Sequence, residues 1–171
     1  MRVGRTLYLL RHAKSSWEDP TLADHGRPLA SRGRRASQIV ARHVRGQAIA
    51  PSLVLCSSST RTRETLELIR SGFDKDVEAQ IEEGLYAATA GDLLDRLHAV
   101  APDLDSVMLI GHNPAIQELA LSLAGRGAQL GRLREKFPTA ALATLTFSVG
   151  WRELAPSVAE LVAFVRPREL E

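Results

Sequence analysis

Two arginines and two histidines stand directly behind short apolar runs of this chain. Arg11 and His12 follow Thr6–Leu10, Arg61 closes the polar stretch that follows Leu53–Cys56, and His112 follows Val107–Ile110. A guanidinium offers a planar fork of donors that matches phosphoryl oxygens. A neutral imidazole nitrogen can attack phosphorus and hold the phosphoryl group as phosphohistidine until water removes it. Ser59 or Thr60 reads as a helix N-cap, and Asn113-Pro114 reads as an N-cap followed by proline at the first helical position. Two helix N-termini would then aim free N–H groups and positive dipole ends at one rim. The combination describes a site for a dianion.

Such a site needs elements that bring distant stretches together. The three apolar runs, bounded by polar or Gly/Pro punctuation, predict fully buried strands. Each is followed by a helical pattern: 34–45 (Ala36, Ile39, Val40, Val44), 61–70, 92–100 (Leu93, Leu94, Leu97, Val100) and 115–123 (Ile116, Leu119, Ala120, Leu123). Strand-helix alternation implies a mainly parallel sheet covered on both faces, with ligands bound beyond the carboxyl ends of its strands. Ala141–Phe147 and Glu160–Val165 read as further strands at or near an edge. The charged run Arg126–Lys136 reads as a solvated loop. The 171 residues, with no internal repeat or dividing linker, predict one domain over 1–171.

Composition removes several classes. Hydrophobic residues at 44% and charged residues at 25% exclude a disordered or fibrous chain. No apolar run approaches the ~20 residues of a membrane span, and Leu7–Leu10 is too short for a signal-peptide core, so a cytoplasmic protein without membrane contact is expected. The single cysteine, Cys56, excludes an internal disulfide and a thiolate zinc cluster. There is no GxxxxGK[ST] loop and no HExxH-like pair, which argues against P-loop nucleotide binding and leaves no close set of metal ligands. Residues 1–50 carry ten Lys/Arg against three Asp/Glu, and 19 of the 22 basic residues are Arg. That excess suits phosphate. Nucleic acid is a rival reading, countered by an aromatic content of 5% without an interleaved basic and aromatic stripe.

In order along the chain, LLRHAKSSW, RPLASRG, SSSTRTRET and GHNP resemble the motifs of the histidine phosphatase superfamily, branch 1, in its short SixA-like form. Ala13 stands where the family usually has glycine. The resemblance spans Leu7 to about Pro114. It implies a compact three-layer α/β/α sandwich with a mainly parallel, mixed sheet of the phosphoglycerate mutase-like kind, without a large lid insertion. It implies His12 as nucleophile, Arg11 and Arg61 as holders of the phosphoryl oxygens, His112 as completing the charge-stabilising pocket, and no metal or organic cofactor. Larger branches carry a proton-donating glutamate in a segment similar to Ile81–Tyr86, which makes Glu83 the candidate donor. They also carry a phosphate-touching Asn shortly after the first motif, where this chain has Trp17-Glu18.

The implied substrate is a phosphohistidine carried by a protein, with a small phosphomonoester as the alternative. A non-catalytic phosphate- or phosphoprotein-binding module is the rival of another class, and it would leave His12 without a purpose. Ser57, Ser58 and Ser59 read as turn and capping residues. Arg32, Arg34 and Arg35 read as a solvated helix start, Arg27 as a loop-ordering residue pairing with a local carboxylate, and Leu85 and Tyr86 as packing near the pocket mouth.

Overall fold

A computed structural model describes residues 4–171. Seven strands form one mixed sheet in the order β3-β2-β4-β1-β6-β7-β5. They are β1 (Arg5–Arg11), β2 (Leu53–Ser57), β3 (Glu78–Glu82), β4 (Ser106–Gly111), β5 (Ala124–Arg126), β6 (Leu142–Phe147) and β7 (Ala159–Val165). Neighbours among β1 to β4 are parallel, and β6 is antiparallel to both β1 and β7. Five helices cover the sheet: α1 (Ser31–Gly46), α2 (Thr60–Ile69), α3 (Ala90–His98), α4 (Ala115–Leu123) and α5 (Leu130–Glu135).

Successive strand residues point to opposite faces, so each apolar run supplies two cores. Leu7, Leu9, Leu53, Leu55, Val107 and Leu109 pack with Leu93 and Leu97 of α3, Ile116 and Leu119 of α4 and Leu133 of α5. Leu10, Val54, Cys56, Met108 and Ile110 pack with Val40 and Val44 of α1 and Leu66 and Ile69 of α2. The result is the three-layer α/β/α architecture. No helix among the described residues is long and apolar enough to cross a membrane.

Arg126–Lys136 is not a loop. Its first residue ends β5 and its centre forms α5, where Leu133 is 0% exposed and Gln117 of α4 donates from Nε2 to the Leu133 carbonyl at 2.9 Å. Leu130 and Leu133, three residues apart, give a single turn of apolar stripe inside a charged run. Tertiary burial decides this segment where periodicity is weak. Of the last two predicted strands, β7 lies next to the edge as expected, whereas β6 sits further inside beside β1, and the short β5 forms the edge.

α1 closes tightly on the loop after β1. Lys14 O accepts from Ala30 N at 2.9 Å, Ser16 N donates to Pro28 O at 2.8 Å, and a Cβ added at Gly33 would lie 2.1 Å from Lys14 O. Glycine is therefore required by contact, not by φ. Gly33→Ala is expected to lower unfolding stability by ~1–3 kcal/mol through overpacking, read from urea denaturation midpoints. An ordinary helical site would instead gain ~0.5–1 kcal/mol from the same change, and such a gain would show that the contact yields freely.

Candidate active site

Parallel pairing explains why the chemistry converges. β4 lies between β2 and β1, with Arg11 level with Gly111 and Cys56 level with Ile110. Residues following the three strands therefore leave the sheet side by side, at the carboxyl edge where parallel sheets bind ligands. His12 N donates to Gly111 O at 3.1 Å. Antiparallel β6 brings its preceding turn to the same rim, where Ala140 N donates to Arg11 O at 3.0 Å and to His12 O at 3.1 Å. Arg11, His12, Arg61 and His112 line one open cavity of about 280 Å³, together with Lys14, Ser15, Trp17, Arg27, Asn113 and Thr139. None of these lining residues is an acid.

His12 is 7% exposed, and its Nδ1 lies 2.7 Å from the Ala13 carbonyl. A carbonyl only accepts, so Nδ1 carries the proton and the Nε2 lone pair is left for chemistry. Burial pushes the His12 pKa down to about 3, with His112, Arg61 and Arg11 adding to the effect and the Ala13 carbonyl opposing it. The ring is thus neutral and nucleophilic at neutral pH. Its centroid is 5.2 Å from that of His112.

Each remaining group has its own anchor. His112 Nε2 lies 2.8 Å from Ser57 Oγ, and burial followed by Arg61 lowers its pKa to about 4. Arg61, 7% exposed on the first turn of α2, donates to the Asp24 carbonyl at 2.8 Å and to the Asp24 carboxylate at 3.0 Å. Asp24 also accepts from the Tyr86 hydroxyl and pairs with Arg27 at 2.8 Å. Its carboxyl is held well below the ordinary range by the Tyr86 hydrogen bond first, then by Arg61 and Arg27. Arg27 reaches Ser16 O at 3.1 Å and the Ser15 hydroxyl, and its guanidinium lies 3.2 Å from the centre of the Trp17 ring, which is itself 72% exposed. Arg11 donates to the Phe137 carbonyl at 2.9 Å.

Four of the five residues singled out in sequence thus meet around the cavity. Glu83 does not, standing exposed at the start of a short 3₁₀ turn outside the lining. Ser59 caps α2 as expected, accepting from Thr62 N. Asn113 does not cap α4: Pro114 occupies the N-cap position, and the Asn113 amide instead donates to Phe137 O at 3.2 Å. Asp24 and Ser57 are the positioning residues that sequence reading missed. Asp24 had no signal beyond being the nearest acid to Arg27, and Ser57 sat at a strand end where a turn role was the simpler reading.

Both depressed histidines follow one sign rule. The native state stays unprotonated where an unfolded chain, titrating near pH 6.5, takes up protons, so acid below that point erodes stability. His12 and His112 are expected to keep neutral-ring nitrogen shifts in NMR spectra from about pH 8 to about pH 5. A midpoint near the ordinary ~6.5 for either ring would contradict the buried geometry.

Residues 7–101 match the histidine phosphatase superfamily (branch 1). An uncharacterized protein of Mycobacterium tuberculosis (strain ATCC 25618 / H37Rv) is 37% identical over 163 residues, which cover 93% of this chain and 100% of that one. The proposed phosphohistidine phosphatase SixA of Nakamurella multipartitia superposes with a TM-score of 0.82 at 28% identity over 96% of each chain. The protein histidine phosphatase SixA, solved with tungstate, superposes with a TM-score of 0.79 at 23% identity over 97% of this chain and 99% of that one, a likeness of fold.

Proposed function

Because the chain belongs to branch 1 of the histidine phosphatase superfamily, we propose that it removes the phosphoryl group from phosphohistidine borne by a protein, with His12 as the nucleophile. The observation that supports this substrate class is that no Asp or Glu side chain lines the cavity, the Asp24 carboxylate behind it being already committed to Arg61, Arg27 and Tyr86. An alkyl phosphomonoester leaves as an alkoxide that needs a proton from a positioned acid. Phosphohistidine can take a proton from water on its second ring nitrogen and depart as neutral imidazole. The cavity is also open, which suits a side chain presented by a second protein. The SixA name of the similar structures points the same way.

In this mechanism Arg11 and Arg61 hold the phosphoryl oxygens. His12 Nε2 attacks phosphorus as the substrate's N–P bond breaks, and the substrate histidine leaves neutral. The dianion opposes the desolvation and the neighbouring positive charges that depress His112, so its arrival raises the His112 pKa and favours an imidazolium beside the transferring group. Water then attacks phosphorus, breaks the bond to His12, and releases inorganic phosphate.

The test compares rates on a phosphohistidine peptide and on a panel of alkyl phosphomonoesters. Phosphohistidine is expected to be favoured by about 10²-fold or more, the scale of a carboxylic general acid that the cavity lining lacks. Glu83→Gln is expected to change the phosphohistidine rate by less than about tenfold. A wild type fast on an alkyl ester, slow on phosphohistidine and crippled on the ester by Glu83→Gln would transfer the assignment to small-molecule phosphatases.

A further inference from the structure

A second cavity of about 550 Å³ adjoins the first, with Lys14 and Thr139 lining both. One wall is α1, through Arg32 and Arg35; the other comes from the end of α5 and the C-terminal turn, through Lys136 and Arg168. Among the described residues, no ion pair or side-chain hydrogen bond engages Lys14, Arg32, Arg35, Lys136 or Arg168, and all five are exposed. The acids on the lining are Glu135 and Glu171. Arg166, also on the lining, is already paired with Glu169 at 2.9 Å. The groove therefore has a surplus of uncommitted positive charge that begins at the catalytic mouth.

We propose that this groove docks an acidic segment of the protein whose phosphohistidine enters the catalytic cavity; the inference rests on the phosphohistidine reading of that cavity. Small anions are bound by buried, hydrogen-bonded groups that fix their orientation. Here the cations are exposed, long and unanchored, the pattern of charges that steer and align a macromolecular partner. A ligand reaching from His12 across Lys14 into the groove is also larger than a phosphohistidine side chain alone. The shared wall is firm, since the Lys14 backbone is held by Ala30 and abuts Gly33. Against nucleic acid stands the groove's lack of any aromatic side chain on which bases could stack.

The test uses two synthetic phosphohistidine peptides that differ only in flanking glutamates or glutamines, with phosphoramidate as the small substrate. The wild type is expected to show kcat/KM about tenfold or more higher for the Glu-flanked peptide at low salt, converging as salt screens the charges. The double variants Arg32→Glu/Arg35→Glu and Lys136→Glu/Arg168→Glu, one per wall, should each abolish the preference while leaving phosphoramidate turnover unchanged. No preference in the wild type, or one that survives both variants, overturns the groove. Binding of fluorescein-labelled, unphosphorylated versions of the peptides to His12→Ala protein separates the two readings. If neither peptide nor phosphoramidate is turned over, the phosphohistidine reading falls, and a Glu preference in binding that both walls' reversals abolish still supports the groove. Tighter binding of a single-stranded oligonucleotide than of the Glu-flanked peptide at ~150 mM salt would assign the groove to nucleic acid instead.

Discussion

His12→Ala is expected to lower turnover by roughly 10⁴-fold or more, the scale seen when a nucleophile is removed, while phosphate still binds. The two outcomes separate because different groups produce them. In the proposed mechanism the lone pair that forms the covalent intermediate belongs to His12 Nε2, freed by the bond from Nδ1 to the Ala13 carbonyl. The charge proposed to attract a dianion belongs to Arg11 and Arg61, which are anchored by the Phe137 carbonyl and by Asp24. Steady-state rates with the variant, paired with calorimetric titration of inorganic phosphate, check both halves. Acid-labile phosphate on His12 of the wild type after a rapid quench is the positive counterpart. Retention of even about a tenth of wild-type activity would place the nucleophile elsewhere.

Arg61→Ala is expected to cost about 10²–10³ in kcat/KM, the usual effect of losing one preorganised donor to transition-state charge. Arg61 is nearly buried and tied twice to Asp24, so in the proposed role it would meet the phosphoryl group without reorganising. Its removal has a second consequence: the Asp24 carboxylate loses one of its cationic partners close to an incoming dianion. Arg61→Lys should recover only part of the loss, because an ammonium restores the charge but not the fork. Circular dichroism and thermal unfolding of both variants separate this effect from misfolding. Activity of Arg61→Ala within about tenfold of wild type would mean that Arg11 alone holds the phosphoryl oxygens.

The chemistry was legible because it is encoded next to the strands. Arg11 ends β1, His12 follows it, and His112 follows β4, so reading what stands after each buried run recovered the groups that meet at the rim. The two apolar faces of those runs were legible for the same reason, since a period of two needs only a few residues to declare itself. What stayed hidden depends on long contacts or on the main chain. Asp24 meets Arg61 across 37 positions and Tyr86 across 62, and Ser57 meets His112 across 55. No local pattern marks such partners. α5 was hidden by its own composition, because charged residues outnumber the leucines that bury it. Asn113 misled because its type suits a cap, whereas the loop before β6 brings the Phe137 carbonyl within its reach. Glu83 has the chemistry of a proton donor in a segment that the fold leaves at the surface.

The tautomer of His12 is set by the carbonyl of Ala13, a group that every amino acid carries. Where a carboxylate orients a catalytic histidine, one codon change can erase the orienting group. Here no substitution at residue 13 deletes it. The side chain of Ala13 is fully buried, so volume limits what can stand there, while the proton on Nδ1 keeps its acceptor. The feature most decisive for nucleophilicity is thus shielded from point mutation. Sequence drift around His12 should accordingly be bounded by packing and backbone path, as it is at Gly33, with position 13 held to small apolar side chains because burying a polar group in that cluster costs free energy.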